Sequence, residues 1–379
     1  MRLVPTANHA AVFSTHFTAV TALDRYPHFV FRLQGSRAPS SQLTTPIMPS
    51  YKRLEVHTKS TDFRAATRLV EEPELPTAHA NTVVVKNHFV GINATDVNVT
   101  NGAYTGPLPP PFGCGLDAVG VVLEIGEGVT TVKVGDAIAY RKLGAFAEYA
   151  EVDMAMVVKV PTPTPDALPL IVSGSSASIA LEQVGEMKSN ETVLVTAAAG
   201  GTGQFVVQLA KLAGNHVIGT TSSEAKAAHL KAIGCDRVIN YNTEDVNAVL
   251  KKEYPNGVNL VFETVGGDLL RAAVDNVAVK GRIIAFGAIS GYQGAKDTFL
   301  ASELVPKLLF KSASLRGFIS GHYREQFHPH MQRLLQLIGE KKLVPGVDPV
   351  QFEGLESIPE AIDYMYARKN VGKVVVKVN

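Results

Sequence analysis

The chain contains 379 residues, of which 46% are hydrophobic and 19% charged, values typical of a folded globular protein with room for two domains. Its net charge of +1 provides no overall attraction for nucleic acid or an anionic membrane surface, so neither is an expected partner. The two cysteines, Cys114 and Cys235, are too few for a disulfide-rich scaffold or a four-cysteine zinc site. No uninterrupted apolar run approaches the roughly 18 residues of a spanning helix, so stable membrane insertion is not expected.

Residues 1–48 differ in composition from the rest of the chain. They are rich in arginine, serine and threonine and contain one acidic residue, Asp24, which is typical of an organellar transit peptide. A mitochondrial location is therefore predicted. The alternative is a disordered or misassigned extension with Met48 as the first residue, which favours the cytoplasm. A peroxisome is a further alternative, although the terminal residues Lys377 to Asn379 are not a Ser-Lys-Leu signal.

Short strands punctuated by glycine and proline follow, up to about residue 165. The pattern predicts an antiparallel or barrel-like, mainly β domain over residues 49–167, with residues 101–112 as a loop because their prolines and glycines prevent regular pairing. The predicted strands are 51–56, 82–90, 119–125, 137–140 and 147–152.

Strands and helices alternate between residues 168 and 318, which predicts an α/β domain with a parallel six-stranded sheet. Ser223 and Thr243 are the expected N-caps of the second and third helices. The predicted strands are 192–196, 216–221, 237–240, 259–263, 282–286 and 314–317. The helices are 204–213, 224–233, 244–253 and 269–278. Beyond them, a helix at 329–341 and a strand at 372–378 are expected, with residues 319–379 returning to pack on the first domain.

The turn between the first of these strands and its helix carries the first functional signal. Glycines there allow the backbone to approach a ligand, and the N–H groups at the helix start form an anion site suited to a dinucleotide pyrophosphate. The match to the G-x-G-x-x-G pattern is incomplete, because Ala198 stands in the first position and Gly200 and Gly203 hold the other two. Alone, such a turn is equally consistent with close packing.

The end of the second strand favours NADPH over NADH. NAD-binding folds carry an acidic residue there for the ribose 2′-hydroxyl, whereas this strand ends without one and Glu224 comes too late. Ser222 and Lys226 suit a 2′-phosphate, and Tyr241 follows the third strand where a phenol can reach the same group. The alternatives are a solvated lysine on a helix face and a half-buried tyrosine at a strand end.

Residues at the carboxyl ends of the later strands are the other candidates, among them Thr264, Phe286 to Tyr292 and Phe318 to Ser320. If the cofactor supplies the hydride, these groups need only orient the substrate, stabilise charge and exclude water. No metal is predicted, because neither Cys114 nor the pair His328 and His330 has the neighbours of a three-ligand zinc site.

From residue 51 to the end, the chain resembles the medium-chain dehydrogenase/reductase superfamily, in its zinc-free quinone oxidoreductase and prostaglandin reductase branch. The motifs that carry the resemblance are Gly91-Ile-Asn-Ala-Thr-Asp96, Gly115-Leu-Asp-Ala-Val-Gly120, Val195-Thr-Ala-Ala-Ala-Gly-Gly-Thr-Gly-Gln204, Gly234-Cys-Asp-Arg-Val-Ile-Asn-Tyr241 and Asn370-Val-Gly-Lys-Val-Val375. Zinc members have Gly-His-Glu where this chain has Gly115-Leu116-Asp117. The resemblance implies a GroES-like β domain, formed by 49–167 and 319–379, and a Rossmann NADPH-binding domain at 168–318.

The resemblance also implies NADPH-dependent reduction of the C=C bond of α,β-unsaturated ketones, typified by 15-oxo-prostaglandins. Hydride would reach the β-carbon, and the enolate would be held by the nicotinamide ribose 2′-hydroxyl and by Tyr292 until solvent protonates the α-carbon. Asn93 and Tyr104 are expected near the substrate. The cofactor contacts implied by position are Gly200, Thr202, Gly203, Ser222, Lys226, Tyr241, Thr264, Phe286, Tyr292, Phe318, Ile319, Ser320 and Asn370.

Phe286, Ile319 and Ser320 depart from the residue types usual in this branch, so backbone contacts are expected there. The expected substrate is a small enone or lipid-derived molecule, and the expected assembly is a homodimer. Two other functions fit the same fold and cofactor: a quinone reductase, and a non-catalytic NADPH-binding sensor or structural protein. Turnover of enones and quinones distinguishes the three.

Overall fold

The computed structural model describes residues 50–294 and 301–378. The predicted transit peptide or extension at 1–48 therefore lies outside the described residues.

The first part of the chain forms antiparallel sheets, as predicted. A small sheet joins β2, β1 and β4, while β3, β5, β6 and β8 lie in a larger one to which β7 also pairs through β3. The strands are β1 (Tyr51–Val56), β2 (Thr67–Glu72), β3 (Thr82–Gly91), β4 (Phe112–Gly113), β5 (Asp117–Ile125), β6 (Ala137–Arg141), β7 (Tyr149–Asp153) and β8 (Val157–Lys159). Two short helices are α1 (Phe63–Ala66) and α2 (Asp96–Thr100).

A long helical stretch, Pro165–Val184, leads into the second part, with its α-helical centre, α3, at Ser175–Ile179. A π-helical turn flanks α3 on each side, at Leu170–Gly174 and at Ala180–Val184. By length and mean hydropathy this stretch is apolar enough to cross a membrane, yet 83% of it is buried inside the protein. It therefore contributes to the core here.

The second part contains the predicted six-stranded parallel sheet, in the order β11-β10-β9-β12-β13-β14. Its strands are β9 (Thr192–Val195), β10 (His216–Thr221), β11 (Arg237–Asn240), β12 (Val258–Glu263), β13 (Val277–Ala285) and β14 (Ser314–Gly317). The helices are α4 (Gly203–Leu212), α5 (Glu224–Ala232), α6 (Val246–Glu253), α7 (Gly267–Asp275) and α8 (Ala301–Lys311). The central strands are apolar and buried on both faces, as a doubly covered parallel sheet requires.

One of the two predicted helix caps is correct. The Ser223 side chain accepts from the backbone N–H of Lys226 at the start of α5. The prediction for Thr243 was wrong, because Asp245 caps α6 by accepting from the Ala248 N–H at 2.9 Å. Thr243 instead donates its hydroxyl to the Asn240 carbonyl, so it stabilises the preceding turn.

The C-terminal part of the chain packs against both the β domain and the α/β domain. Strands β15 (Phe352–Glu353) and β16 (Val375–Lys377) extend the large β sheet through the pairing of β16 with β3, as the expected return to the first domain requires. The helix α9 (Phe327–Gly339) instead buries Phe327 and Leu334 in the core that also contains Phe205 of α4. A last helix, α10 (Ile358–Tyr366), packs on the β domain core.

Candidate cofactor and substrate cleft

A cleft of about 1450 Å³ runs along the carboxyl ends of the parallel strands and is closed by loops of the β domain. Such an edge is where open α/β sheets bind their ligands. The cleft wall includes every predicted site residue: Asn93, Tyr104, Gly200, Thr202, Gly203, Ser222, Lys226, Tyr241, Thr264, Phe286, Tyr292, Phe318, Ile319, Ser320 and Asn370.

The glycine-rich turn lies at the centre of this cleft. A side chain at Gly203 would bring its Cβ within 2.5 Å of the Ala197 carbonyl oxygen, so glycine is required there for close packing. Ala198 takes the position of the missing first glycine, and a Cβ added at Gly219 of β10 would lie 3.0 Å from the Ala198 methyl. The side chain of Thr202, just before α4, makes no capping bond, and the N–H groups of Gln204 and Phe205 donate to the carbonyls of Gly200 and Thr202. An anion at this helix start would therefore be contacted by the N–H groups that precede Gln204.

The C-terminal segment braces this turn from the other side, which the sequence did not reveal. The Gly372 N–H donates to the Ala199 carbonyl at 2.9 Å, and Gly372 forms a β-bridge with Gly200. The Gln204 amide exchanges two hydrogen bonds of 2.8 Å with the backbone of Gly346. Asn370 lies beside the same bridge and donates to the Gly372 carbonyl.

The tip of β10 fits a phosphorylated ribose. The Thr221 hydroxyl is buried and has no hydrogen-bond partner among the described residues, so it is available to a ligand. Lys226 lies half-buried on the same wall, and burial lowers the pKa of its ammonium group. Glu224, the first acid after β10, accepts from the Asn240 side chain at 2.7 Å.

Arg368 joins this group from the C-terminal segment and was not predicted. Its guanidinium lies over the Tyr241 ring, 5.9 Å from the centroid, and its carbonyl accepts from Lys226 Nζ at 2.8 Å. Its backbone φ of 57° lies in the left-handed region. No sequence pattern near residue 368 signals this role, because the contact joins segments that are 142 residues apart.

The cleft floor beyond the turn is built from a threonine pair and an aromatic stack. Thr264 donates its backbone N–H to the Thr196 hydroxyl at 2.8 Å. The Phe286 ring is sandwiched between Phe262 and Phe318, at centroid distances of 4.7 and 5.2 Å. The Phe286 N–H also donates to the Glu263 carbonyl at 2.8 Å, so both the ring and the N–H of this residue are engaged within the protein.

Tyr292 marks the other end of the cleft. Its hydroxyl accepts from the Ala288 N–H at 3.1 Å and lies within hydrogen-bonding reach of Tyr104 and Asn98. Burial, reinforced by Tyr104, raises the pKa of Tyr292 to about 12. The phenol therefore keeps its proton at neutral pH and can donate a hydrogen bond. Tyr104 itself is 47% exposed at the mouth.

Asn93 lines the same end but is part of a buried polar network. Its amide donates to Asp117 at 2.7 Å, and its carbonyl oxygen accepts from Lys373 Nζ at 2.6 Å. Lys373 also pairs with Asp117 at 3.0 Å. Asp96 completes the network by accepting from the Asn93 N–H, and burial raises its pKa to about 8. With both ends of its amide engaged, Asn93 supports the wall of the cleft.

Two protein-family models match this chain, one in each domain. Residues 79–162 match the alcohol dehydrogenase GroES-like domain, and residues 201–336 match the zinc-binding dehydrogenase domain. Prostaglandin reductase-3 of Mus musculus is 45% identical over 368 residues, covering 95% of each chain. The chain belongs to the medium-chain dehydrogenase/reductase family, in its quinone oxidoreductase branch. A probable quinone oxidoreductase of Leishmania amazonensis is 41% identical over 334 residues, covering 87% of this chain and 98% of the relative.

Solved structures of the family share this architecture. The quinone oxidoreductase of Pseudomonas syringae pv. Tomato has a TM-score of 0.76 and 29% identity, covering 86% of this chain and 99% of that one. The Escherichia coli quinone oxidoreductase complexed with NADPH has a TM-score of 0.75 and 27% identity over the same shares. The cofactor of this family member is NADPH, as the sequence predicted, and Thr221 and Lys226 on the cleft wall are chemically suited to its 2′-phosphate.

The family includes zinc-binding members, but the residues of this chain do not fit a catalytic zinc. Leu116 offers no ligand atom, Asp117 is paired with Lys373, and the Cys114 thiol faces the Leu54 carbonyl. Among residues 50–294 and 301–378, no three His, Cys, Asp or Glu side chains are grouped so as to hold a metal ion.

Proposed function

We propose that this NADPH-dependent oxidoreductase reduces the C=C bond of α,β-unsaturated ketones, with 15-oxo-prostaglandin-like lipids as the substrate class. Two relatives named prostaglandin reductase-3, at 45% and 44% identity over 95% of the chain, support this assignment. The chain differs from them at more than half of its positions, so the substrate has to be argued from the cleft.

The observation that carries the proposal is the protonated phenol of Tyr292 on the cleft wall, held by the Ala288 N–H. A bound NADPH supplies a hydride, which in this proposal is added to the substrate's β-carbon. Negative charge then develops on the carbonyl oxygen, and a protonated phenol with a pKa of about 12 is a suitable donor to it. One well-placed donor of this kind contributes about 3–4 kcal/mol to transition-state stabilisation. The α-carbon would take its proton from solvent at the open mouth.

The reaction needs no metal in this proposal, because the phenol performs the charge stabilisation that a Lewis acid supplies in zinc members. A chelator should therefore leave turnover unchanged. Loss of activity with chelator and recovery with zinc would contradict this part of the proposal.

A quinone reductase is the second candidate, favoured by the names of the Leishmania and bacterial relatives. The test is a panel of a 15-oxo-prostaglandin, an alkenal and a quinone, each with NADPH and with NADH. The proposal predicts NADPH oxidation with the enone and a saturated ketone as product. Turnover of the quinone alone would favour the second candidate, and NADPH binding without any turnover would favour a sensor or structural role.

We also propose that the protein is a homodimer, joined along the β14 edge of the parallel sheet. In the described part of the chain, β14 pairs only with β13, and such an open edge is a ready template for a second chain. On α8 nearby, Val305, Leu309 and Phe310 are 59%, 69% and 85% exposed. Light scattering should give the mass of a dimer, and Phe310→Ser should weaken it; a monomeric parent protein would refute the proposal.

The mitochondrial location rests on the composition of residues 1–48 alone and is kept as a proposal. Fluorescent fusions of the full-length chain and of a form that begins at Met48 test it. Mitochondrial signal from the longer form only is expected, whereas identical cytoplasmic signal from both would refute it.

A further inference from the structure

Two arginines line the cleft near Tyr104, and neither is used by the proposed reaction. Arg141 ends strand β6, is half-buried, and donates from Nη2 to the Ser320 hydroxyl at 2.7 Å. Arg324 lies on the 3₁₀ turn Ser320–Gln326, which carries that serine, and its side chain is exposed. Both side chains contribute to the wall of the same cleft.

Neither guanidinium forms an ion pair with a carboxylate in residues 50–294 and 301–378. Arg141 is close enough to Arg324 for the second charge to act on it, and burial together with that charge lowers the pKa of Arg141. Asp117 opposes this shift, but it is already paired with Lys373. Two neighbouring cations of this kind leave an unbalanced positive charge, which an anionic ligand group would neutralise.

The phosphates of a bound cofactor would lie too far away to be that anion. The glycine-rich turn follows β9, whereas Ser320 follows β14, three strands further across the sheet. At about 4.8 Å between neighbouring strands, this separation is about 14 Å. The residues that would hold the adenosine end, at the tips of β10 and β11, lie on the opposite side of β9.

The surroundings of the arginines are apolar. Tyr104, Leu143 and Ile319 line the cleft there and are 47%, 39% and 45% exposed. A ligand that satisfies both features carries an anionic group on a hydrocarbon body. Arginine recognises carboxylates with particular strength because its planar fork can bind both oxygens.

We propose that Arg141 and Arg324 form a subsite for a carboxylate that the substrate carries at a distance from its enone. The proposal rests on the proposed function and specifies the substrate class as an acidic, amphipathic enone. Arg141 is held by its hydrogen bond to Ser320, and Arg324 is the exposed member of the pair. Both are positioning residues in this role, because the hydride transfer itself occurs at the enone.

The test uses a 15-oxo-prostaglandin as the free acid and as its methyl ester, because the ester lacks the negative charge of the carboxylate. Arg141→Gln and Arg324→Gln are compared with the parent protein, and Arg141→Lys restores the charge without the planar fork. Arg333→Gln is the matched control, because Arg333 is an exposed arginine of α9 that pairs with Glu182 outside the cleft. NADPH affinity and melting temperature are measured for every variant.

Each glutamine variant should lower kcat/KM for the acid about tenfold, chiefly through KM, while changing kcat/KM for the ester less than twofold. Arg141→Lys should recover part of the loss, and Arg333→Gln should have no effect. Equal losses for acid and ester, or a loss of NADPH affinity, would overturn the subsite.

Direct binding of the acid and the ester to the NADP⁺ complex separates this proposal from the proposed function. If the parent protein reduces neither compound but still binds the acid more tightly than the ester, and loses that preference in Arg324→Gln, the subsite stands and the reaction is wrong. Equal binding of acid and ester by the parent protein would overturn the subsite.

Discussion

The assignment of the 2′-phosphate site is tested by removing the charge of Lys226. Lys226→Met keeps the apolar stem of the side chain and its packing on α5 but removes Nζ. That nitrogen lies half-buried between the tip of β10 and the Arg368 carbonyl, which accepts its hydrogen bond at 2.8 Å. Because the hydrogen bond from Nζ to the Arg368 carbonyl is exposed to solvent, its loss should cost little stability and the variant should fold normally.

The expected loss follows from the exposure of the site. A hydrogen bond between charged groups contributes about 1.5–3 kcal/mol, and partial solvent exposure favours the lower part of that range. A loss of about 1.5–2 kcal/mol corresponds to a roughly 10- to 30-fold increase in Kd for NADPH. The affinity for NADH, which lacks the 2′-phosphate, should change less than twofold.

Fluorescence titration with both nucleotides measures these affinities. Lys231→Met is the matched control, because Lys231 is an exposed lysine of the same helix that does not line the cleft. An unchanged NADPH affinity in Lys226→Met, or an equal loss for NADH, would refute the assignment of Lys226 to the 2′-phosphate.

Three further predictions concern the rest of the cleft. Tyr292→Phe should lower kcat for an enone about 100-fold, and an undiminished kcat would remove this phenol from the mechanism. Gly203→Ala should destabilise the protein by about 1–3 kcal/mol in chemical denaturation, because its methyl would overlap the Ala197 carbonyl, whereas Gly339→Ala, with open space around it, should be tolerated. Burial raises the pKa of Asp96 to about 8. Between about pH 4 and pH 8 its carboxyl therefore ionises in the unfolded chain but stays protonated in the folded protein, so the free energy of unfolding falls as pH rises through this range. Asp96→Asn should therefore gain melting temperature over the parent protein as pH increases through that range, and a constant difference would contradict the burial argument.

The nucleotide-binding half was predictable because its signals are local. Buried apolar strands alternate with amphipathic helices, so the parallel sheet and most element boundaries follow from periodicity. The absence of an acid at the end of β10 and the presence of Lys226 are also short-range features, and they indicated NADPH before any fold was known.

The residues that were missed act through contacts between distant segments. Arg368 reaches Tyr241, and Gly346 binds Gln204, only because the C-terminal segment folds back across the glycine-rich turn. The hydrogen bond between Asn93 and Lys373 likewise could not be predicted from the sequence, since it joins residues that are 280 positions apart. Periodicity and spacing carry no information about such pairs, and Arg141 with Arg324 belongs to the same class.

Isotopic labelling tests whether NADPH reduces the C=C bond of the substrate. NADPH deuterated at the transferred position of nicotinamide C4 is incubated with a 15-oxo-prostaglandin, and the product is analysed by mass spectrometry and NMR. Hydride addition to the enone gives one deuterium on the former β-carbon and an intact ketone. Deuterium on the carbinol carbon of an allylic alcohol, or no label in any product, would contradict it.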